Sequence, residues 1–407
     1  MAVRPDARSD NYAKQARPHI VLALPEQVLL PSDAGFHDRD NLAIHTLETR
    51  TGCENRTVTK GGHRGVDLIT YVPDFQVILT RRCLYRCGYC NFPHTPSPPP
   101  PSRKVMAGFI RTAARLGARQ LTMTAGEGID NHPEIVSACR YLGFKGWYDY
   151  LASLCRQITE NPRVGPLYPV LDVGPVPLPE LRRLIAVLPS IRILLHSGDP
   201  ALLGREAHAG APHKRLERRL AALEDCGRIG ISTVTGLTIG IGESRESWAR
   251  AARAVSDLHA RFGHIRAFVL RPFFPERFSP MRMWAPVSDE TLLEAVRAVR
   301  ATLHPDILLS LELQQRLHLI CDAVRAGVGD LGPFRLGDGR GINFDLYHGL
   351  DGLRADLASA GIRLTERLPF VERFLSVKRS LAGPADSPRM PLPGSQKPRN
   401  RTFASGR

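Results

Sequence analysis

Short apolar, β-branched segments alternate with amphipathic helical patterns along most of this 407-residue chain. The clearest strand pattern covers residues 231–241, and the clearest helix pattern covers residues 244–262, with Ser244 as its N-cap and Gly263 at its end. Continuously apolar strands are typical of parallel sheets that are buried on both faces, and the helices between them supply the crossover connections. The alternation therefore predicts an α/β fold, a (β/α) barrel of the TIM type.

The sequence divides into four parts. Residues 1–65 combine weak periodicity with many turn-forming residues, which indicates an irregular N-terminal extension. The alternating pattern predicts a barrel over residues 66–330, and residues 331–375 are predicted to form a C-terminal cap over its mouth. Residues 376–407 are rich in Pro, Ser, Gly and Arg and have no periodicity, so they predict a disordered basic tail.

Three cysteines, Cys83, Cys87 and Cys90, follow two short predicted strands at residues 68–72 and 75–79. A loop after the first barrel strand is an expected place for chemistry, since catalytic loops gather at the carboxyl ends of the strands. Three thiolates can bind three irons of a 4Fe–4S cube, which normally takes four cysteines, and they leave the fourth iron open. An open iron can chelate a small molecule through its amino and carboxylate groups.

A zinc site or reactive thiols are the other interpretation of these cysteines. Structural zinc takes four ligands, and His94 is the one nearby candidate for the fourth. The remaining cysteines do not form a second pair with zinc spacing, and their apolar surroundings are typical of packing residues. These cysteines are Cys53, Cys139, Cys155, Cys226 and Cys321.

Two glycine-containing motifs follow predicted strands farther along the chain. Gly126 permits a close backbone approach, and Glu127 can accept a charge-assisted hydrogen bond from an ammonium group. Ile239 and Gly240 lie in Gly236-Leu-Thr-Ile-Gly-Ile-Gly-Glu243, where the backbone could meet a flat ligand such as adenine. The second motif lacks the full Gly-x-Gly-x-x-Gly pattern, which argues against a dinucleotide site.

The order of these motifs resembles the radical component of deazaflavin (FO) synthase, a family of radical S-adenosylmethionine (SAM) enzymes. The resemblance rests on Cys-Gly-Tyr-Cys-Asn-Phe, Ala-Gly-Glu and Thr-Gly-Leu-Thr-Ile-Gly-Ile-Gly-Glu, and it covers roughly residues 68–375. It implies a radical SAM barrel with a 4Fe–4S cluster and SAM as cofactors. The cluster would cleave SAM reductively to a 5′-deoxyadenosyl radical.

The resemblance also implies a role for each matched residue. Cys83, Cys87 and Cys90 would ligate the cluster. The adenine of SAM would contact the Tyr89 backbone, Ile239 and Gly240. Gly126 and Glu127 would hold the methionine amine, and Arg219 would pair with the methionine carboxylate.

The family closes the ring of a tyrosine-derived 4-hydroxybenzyl adduct of ribitylaminouracil, which yields a 5-deazaflavin. The resemblance therefore implies a small-molecule substrate, a partner enzyme that supplies the adduct, and an electron donor of the flavodoxin or ferredoxin type. Four residues are expected to line the barrel mouth and are the candidates for catalytic roles: His196, Arg271, Asp330 and Asn343.

The chain departs from the family pattern on the substrate side. Leu195-His-Ser-Gly198 stands where the family has Glu-Thr-x-Ser, and Arg271-Pro-Phe273 stands where it has Gln-Asn-Phe. The later family segment is altered as well, and only Asp330, Asp338 and Asn343 are retained from it. A fixed cation in place of an amide favours an anionic group on the ligand. An alternative is therefore a diverged radical SAM enzyme that acts on another small molecule, including an anionic aromatic one.

The charge balance leaves a second functional class open. The chain carries 55 Lys and Arg against 40 Asp and Glu, a formal net charge of +15, which would suit an RNA-modifying or RNA-binding protein. Most of these cations are Arg, however, and part of the excess lies in the tail, so nucleic acid is not the expected partner. The sequence has no long apolar run and no signal-peptide core, which predicts a cytoplasmic protein without a membrane span.

Overall fold

A closed parallel barrel accounts for most of the residues that the structure describes. The computed structural model describes residues 67–313, 316–336 and 349–371. The sheet has nine strands in these residues: β1 (Asp67–Thr80), β2 (Gln120–Ala125), β3 (Tyr168–Asp172), β4 (Ser190–Arg192), β5 (Ser232–Ile239), β6 (Ile265–Pro272), β7 (Leu308–Leu311), β8 (Asp330–Arg335) and β9 (Ile362–Glu366). The strand order is β2-β3-β4-β5-β6-β7-β8-β1-β9, and an additional β1–β2 pairing closes the barrel. The predicted TIM-type α/β fold is therefore confirmed.

Helices connect the strands and cover the outside of the barrel. They are α1 (Arg103–Arg115), α2 (Pro133–Tyr141), α3 (Trp147–Thr159), α4 (Leu178–Leu184), α5 (Leu216–Ile229), α6 (Arg245–Phe262), α7 (Asp289–Arg300), α8 (Ile320–Arg325) and α9 (Gly349–Ser359). The longest, α6, begins after Ser244 and ends at Gly263, whose left-handed φ of 59° suits glycine. None of the described helices combines the length and apolarity that crossing a membrane requires.

The first strand is longer than the sequence pattern predicts. The two predicted strands at residues 68–72 and 75–79 are one continuous strand, β1, which pairs with β9 as far as Tyr71 and with β2 from Asp74. Pro73 lies where β1 changes its partner strand from β9 to β2. Its carbonyl oxygen accepts a hydrogen bond from the backbone N–H of Arg119, which directly precedes β2. A missing N–H at that junction breaks no ladder hydrogen bond.

The described C-terminal segment lies at the amino-terminal end of the barrel. Strand β9 pairs with the first residues of β1, and the backbone N–H of Val371 donates to Ser232 Oγ at the start of β5. Phe370 is buried and packs edge-to-face against Tyr168 at the start of β3. Residues 349–371 therefore close the base of the barrel, and the prediction that they cover its mouth is wrong.

Asp330 belongs to this base. It begins β8 and is fully buried, where Arg367 Nε donates to its Oδ1 at 2.7 Å and Arg367 Nη2 to its Oδ2 at 2.9 Å. Thr70 and Ser310 also donate to its carboxylate. Burial raises the pKa of Asp330, but the Arg367 guanidinium outweighs burial and holds its pKa below the ordinary value. The prediction that Asp330 lines the mouth is wrong, because this carboxylate fixes the C-terminal segment to the barrel base.

Several predicted features lie outside the described residues. They include the N-terminal extension, Cys53, Asp338, Asn343 and the basic tail at 376–407. The eighth barrel strand extends to Arg335, beyond the boundary placed at residue 330. The division into four parts stays a prediction, as does the RNA hypothesis that depends on the tail.

Candidate functional site

A cavity of about 910 Å³ opens at the carboxyl ends of the strands. Its lining includes the three cysteines, Glu127 after β2, Asp172 at the end of β3, Arg192 at the end of β4, and Arg271 near the end of β6. This is the end of a (β/α) barrel at which functional loops converge. The cavity therefore brings together residues that are more than a hundred positions apart in the sequence.

Close backbone packing positions the cysteine loop. A Cβ at Gly126 would lie 2.0 Å from Arg82 O and 2.5 Å from Cys83 Cβ, and one at Gly88 would lie 2.3 Å from Glu206 O. The backbone N–H of Leu84 donates to Glu127 O at 3.0 Å. Gly126 is thus needed for packing against the cysteine loop, a role that the sequence did not reveal.

The three thiols suit a cluster better than a single metal ion. Burial raises the pKa of each thiol, that of Cys90 to about 12, so a bound cation is needed to keep them as thiolates. Thiolates that share one tetrahedral zinc would lie roughly 3.8 Å apart. Within the described residues, neither the three sulfurs nor these sulfurs with His94 gather within 4.8 Å of one another, which argues against a single zinc ion at this loop.

Glu127 lies beside the cysteines at the centre of a buried charged cluster. Its Oε1 accepts hydrogen bonds from Lys214 Nζ at 2.8 Å and from Arg219 Nη2 at 2.7 Å, while His213 Nε2 lies 3.0 Å from Oε2. Burial raises the pKa of Glu127, but Lys214 and Arg219 outweigh burial and hold its pKa well below the ordinary value. The carboxylate is therefore ionised, as recognition of an ammonium group requires.

The charged cluster meets the cavity through Glu127, His213 and Lys214. Arg219 is fully buried and does not line the cavity, and within the described residues its Nε and Nη1 make no hydrogen bond. Glu127 Oε2 has His213 Nε2 3.0 Å away. An ammonium group in the cavity could therefore approach the carboxylate of Glu127, whereas the structure does not bring the Arg219 guanidinium to the cavity surface. Lys214, which sequence reasoning missed, adds a second cation.

The predicted adenine contacts on β5 do not lie at the cavity. Ile239 is fully buried in the core, and Gly240 donates its N–H to Glu243 Oε1 at 2.9 Å as the chain turns after β5. A Cβ at Gly240 would lie 2.6 Å from Val287 Cβ, so its glycine serves packing. Neither residue lines the cavity. Tyr89 does line it, and its ring stacks on His196 with centroids 5.6 Å apart.

His196 occupies a strained position beyond β4. Its φ of 65° is left-handed, a conformation that costs a non-glycine residue of order 1–3 kcal/mol and that clusters at functional sites. Its Nδ1 lies 3.2 Å from Thr238 Oγ1, and this contact does not involve Nε2. Burial and the nearby Lys214 hold the pKa of His196 well below its ordinary value. The imidazole is therefore neutral, and the same burial and cations disfavour the imidazolium that would form if it accepted a proton.

Arg271 is paired with a carboxylate that sequence reasoning did not single out. Its Nε donates to Glu312 Oε2 at 2.8 Å, and Arg192 Nη2 donates to Glu312 Oε1. Arg192 Nε lies 4.0 Å from Asp172 Oδ2. Because Arg192 and Glu312 follow β4 and β7, which are not neighbours in the barrel, their ion pair spans the barrel interior. The charged group formed by Asp172, Arg192, Arg271 and Glu312 lines the cavity and is called the arginine–carboxylate group below.

A family profile and curated relatives both match this chain. The Radical SAM superfamily profile matches residues 77–255, which contain the cysteine loop and the Glu127 cluster. The chain is 32% identical over 314 residues to 7,8-didemethyl-8-hydroxy-5-deazariboflavin synthase of Methanothermobacter thermautotrophicus, covering 76% of this chain and 93% of the relative. The Methanobrevibacter smithii synthase is 28% identical, covering 78% and 94%.

A solved structure supports the fold. The crystal structure of HydG, a maturase of the [FeFe]-hydrogenase, superposes with a TM-score of 0.58 at 15% identity, covering 77% of this chain and 70% of that one. The likeness shows a shared barrel and nothing of the substrate. With the profile match and the curated relatives, the protein is a radical SAM enzyme whose cofactors are a 4Fe–4S cluster and SAM. The chain belongs to the 7,8-didemethyl-8-hydroxy-5-deazariboflavin synthase family.

Proposed function

We propose that this protein closes the ring of a hydroxybenzyl adduct of ribitylaminouracil to form a 5-deazaflavin. The observation that carries the proposal is one cavity that is lined by the three cysteines and Glu127 and also by the arginine–carboxylate group. Its volume of about 910 Å³ is within the range of small-molecule sites, which are about 300–1,000 Å³. Binding a second, small-molecule substrate beside the cofactor is what this arrangement allows.

The cofactor side divides its tasks among few residues. Cys83, Cys87 and Cys90 would hold the cluster, which supplies the electron that cleaves SAM to the hydrogen-abstracting radical. Glu127 would bind the methionine ammonium. Arg219, which is fully buried and outside the cavity lining, would hold Glu127 in place through the hydrogen bond from its Nη2. The backbone N–H of Glu127 lies 3.4 Å from Cys83 Sγ, so one residue contacts both the cluster ligand and the cosubstrate.

The substrate side would hold the polar rings. His196 would present a neutral imidazole as a hydrogen-bond partner, since burial and the nearby Lys214 hold its pKa well below the ordinary value and make it a weak base. Ring closure would proceed by hydrogen abstraction and loss of ammonia. A partner enzyme would supply the adduct, a flavodoxin- or ferredoxin-type protein would supply electrons, and the reducing cytoplasm would protect the thiols.

One experiment tests the proposed reaction. Anaerobically reconstituted protein is incubated with SAM, a reductant and the tyrosine–ribitylaminouracil adduct, and deazaflavin fluorescence and 5′-deoxyadenosine are followed together. We expect both products to form. Release of 5′-deoxyadenosine without a fluorescent product would retain the radical chemistry and contradict the deazaflavin reaction.

A substitution tests the cosubstrate contacts. Glu127→Gln should weaken SAM binding by about 10- to 100-fold, because a hydrogen bond to a charged group contributes about 1.5–3 kcal/mol. Glu160→Gln removes an exposed carboxylate and serves as the control. Equilibrium binding of SAM to the iron-loaded proteins gives the comparison, and equal affinities of the Glu127→Gln and Glu160→Gln variants would contradict the assigned role.

A further inference from the structure

The arginine–carboxylate group is balanced in charge. Arg192 and Arg271 are two cations, and Glu312 and Asp172 are two carboxylates. Burial raises the pKa of Glu312, but Arg192 and Arg271 outweigh burial and hold its pKa far below the ordinary value, so this carboxylate stays ionised. The cation that replaces an amide in the sequence is therefore compensated within the structure. Arg271 does not by itself select an anionic ligand.

The group still offers free donors and a free acceptor. Arg271 uses Nε for Glu312, and within the described residues its two Nη groups make no hydrogen bond, although the side chain is 31% exposed at the cavity. Asp172 is 25% exposed at the same cavity, and its nearest ionic partner is Arg192 Nε at 4.0 Å. The same cavity is therefore lined by N–H donors of Arg271, fixed by a neighbouring carboxylate, and by a carboxylate of Asp172 that can accept a hydrogen bond.

A cyclic imide matches this arrangement. The pyrimidinedione edge presents one N–H donor between two carbonyl acceptors. A complementary protein surface therefore places one hydrogen-bond acceptor between two donors. Guanidinium groups can supply the donors in a fixed planar fork, and a carboxylate supplies the acceptor. A deazariboflavin, the product for which the relatives are named, contains such a ring.

We propose that Arg271 and Asp172, positioned by Glu312 and Arg192, form the subsite that recognises the pyrimidinedione edge of the substrate. This inference rests on the proposed function and assigns one part of the cavity to one part of the substrate. Arg271 would donate to a ring carbonyl oxygen, and Asp172 would accept from the ring N3–H. Glu312 acts as a positioning residue, because it holds Arg271 through Nε and cancels its charge.

Binding of two probes to the iron-loaded, SAM-bound enzyme tests the subsite. The probes are 5-amino-6-(D-ribitylamino)uracil and its N3-methyl derivative, which lacks the N–H that Asp172 would accept. Wild type should prefer the unmethylated probe by about tenfold or more, since an unpaired buried polar group costs about 1–3 kcal/mol. Asp172→Leu has no acceptor but a similar volume, so it should bind both probes weakly and without preference. Asp306→Ala, an exposed control, should behave like wild type.

Other outcomes would overturn the inference. An undiminished preference in Asp172→Leu would mean that the methyl group clashes and that no hydrogen bond to Asp172 is involved. Tighter wild-type binding of orotate, a carboxylated uracil, than of uracil would indicate an anion site at Arg271. If deazaflavin still forms in either case, the proposed function stands and only the subsite fails. If wild type binds neither probe and forms no deazaflavin, the proposed function itself is wrong.

A third variant tests the positioning role of Glu312. Glu312→Gln leaves the two arginines with Asp172 as their one remaining carboxylate in the group, so the subsite should gain affinity for orotate by about tenfold relative to uracil, as an uncancelled cation favours an anion. A merely structural role would lower the affinity for both ligands equally. Equal losses would therefore contradict charge cancellation by Glu312.

Discussion

Replacing Cys83, Cys87 or Cys90 by alanine is expected to abolish iron binding and to lower 5′-deoxyadenosine formation by more than about a thousandfold, because the cofactor carries the chemistry. Wild-type protein should hold about four irons per chain after anaerobic reconstitution. All three thiols line one cavity, and two of them cannot retain the cluster once one corner is lost. Iron content, charge-transfer absorption and 5′-deoxyadenosine release are the measurements.

Two buried cysteines provide matched controls. Cys139 lies in α2 and Cys226 in α5, both fully buried as free thiols away from the cavity. Their alanine variants should keep iron and activity, although each loses some packing. Stoichiometric zinc without iron in wild type, or normal iron in a Cys87→Ala variant, would contradict the cluster assignment.

Asp330→Ala should reduce the free energy of unfolding by about 3–5 kcal/mol, because it leaves the buried guanidinium of Arg367 without its carboxylate. Both groups are buried at the barrel base, where Arg367 makes two hydrogen bonds to Asp330. At temperatures where the variant is folded, SAM cleavage should remain close to wild type. Denaturant unfolding and 5′-deoxyadenosine release measure the two effects separately.

The control and the pH dependence sharpen this prediction. Asp351→Ala removes a carboxylate that is 92% exposed on the same C-terminal segment, and an exposed pair contributes about 0–1 kcal/mol.

The pKa of Asp330 in the folded protein lies below its value in the unfolded chain. The stabilisation that Asp330 contributes is therefore fully present above the unfolded pKa and is lost as pH falls through the folded pKa. If Asp330→Ala left the free energy of unfolding unchanged but abolished turnover, the structural role would be contradicted and Asp330 would be assigned to the active site.

The cysteine loop and Glu127, which line the cavity, were identifiable from the sequence because they lie in short motifs, whereas the predicted adenine contacts at Ile239 and Gly240 lie outside the cavity. The cysteines fall within one loop, and Glu127 follows Gly126 at the end of a strand. Local spacing constrains such groups before the chain folds. Lys214 was missed because no short motif distinguishes a lysine before α5 from an ordinary surface cation.

The substrate half of the site was harder to predict from the sequence. Arg271 was identified, but its charge was interpreted without Glu312, which lies 41 positions away. His196 was a candidate, whereas its left-handed φ and its contact with Thr238 emerge only from the folded chain. Asp330 was placed at the mouth because it matches a residue of the family's substrate-side segment, and β8, which it begins, was not predicted.

The sequence by itself determined the parallel barrel and the three-thiol loop, since hydrophobic alternation and cysteine spacing are local properties that few folds can satisfy. The tertiary structure alone decided which end of the barrel each polar residue occupies. It placed Asp330 and Arg367 at the base, and it joined Arg192 to Glu312 across the interior. The physical reason is that charge compensation depends on distances between strands, and the closure of the sheet sets those distances.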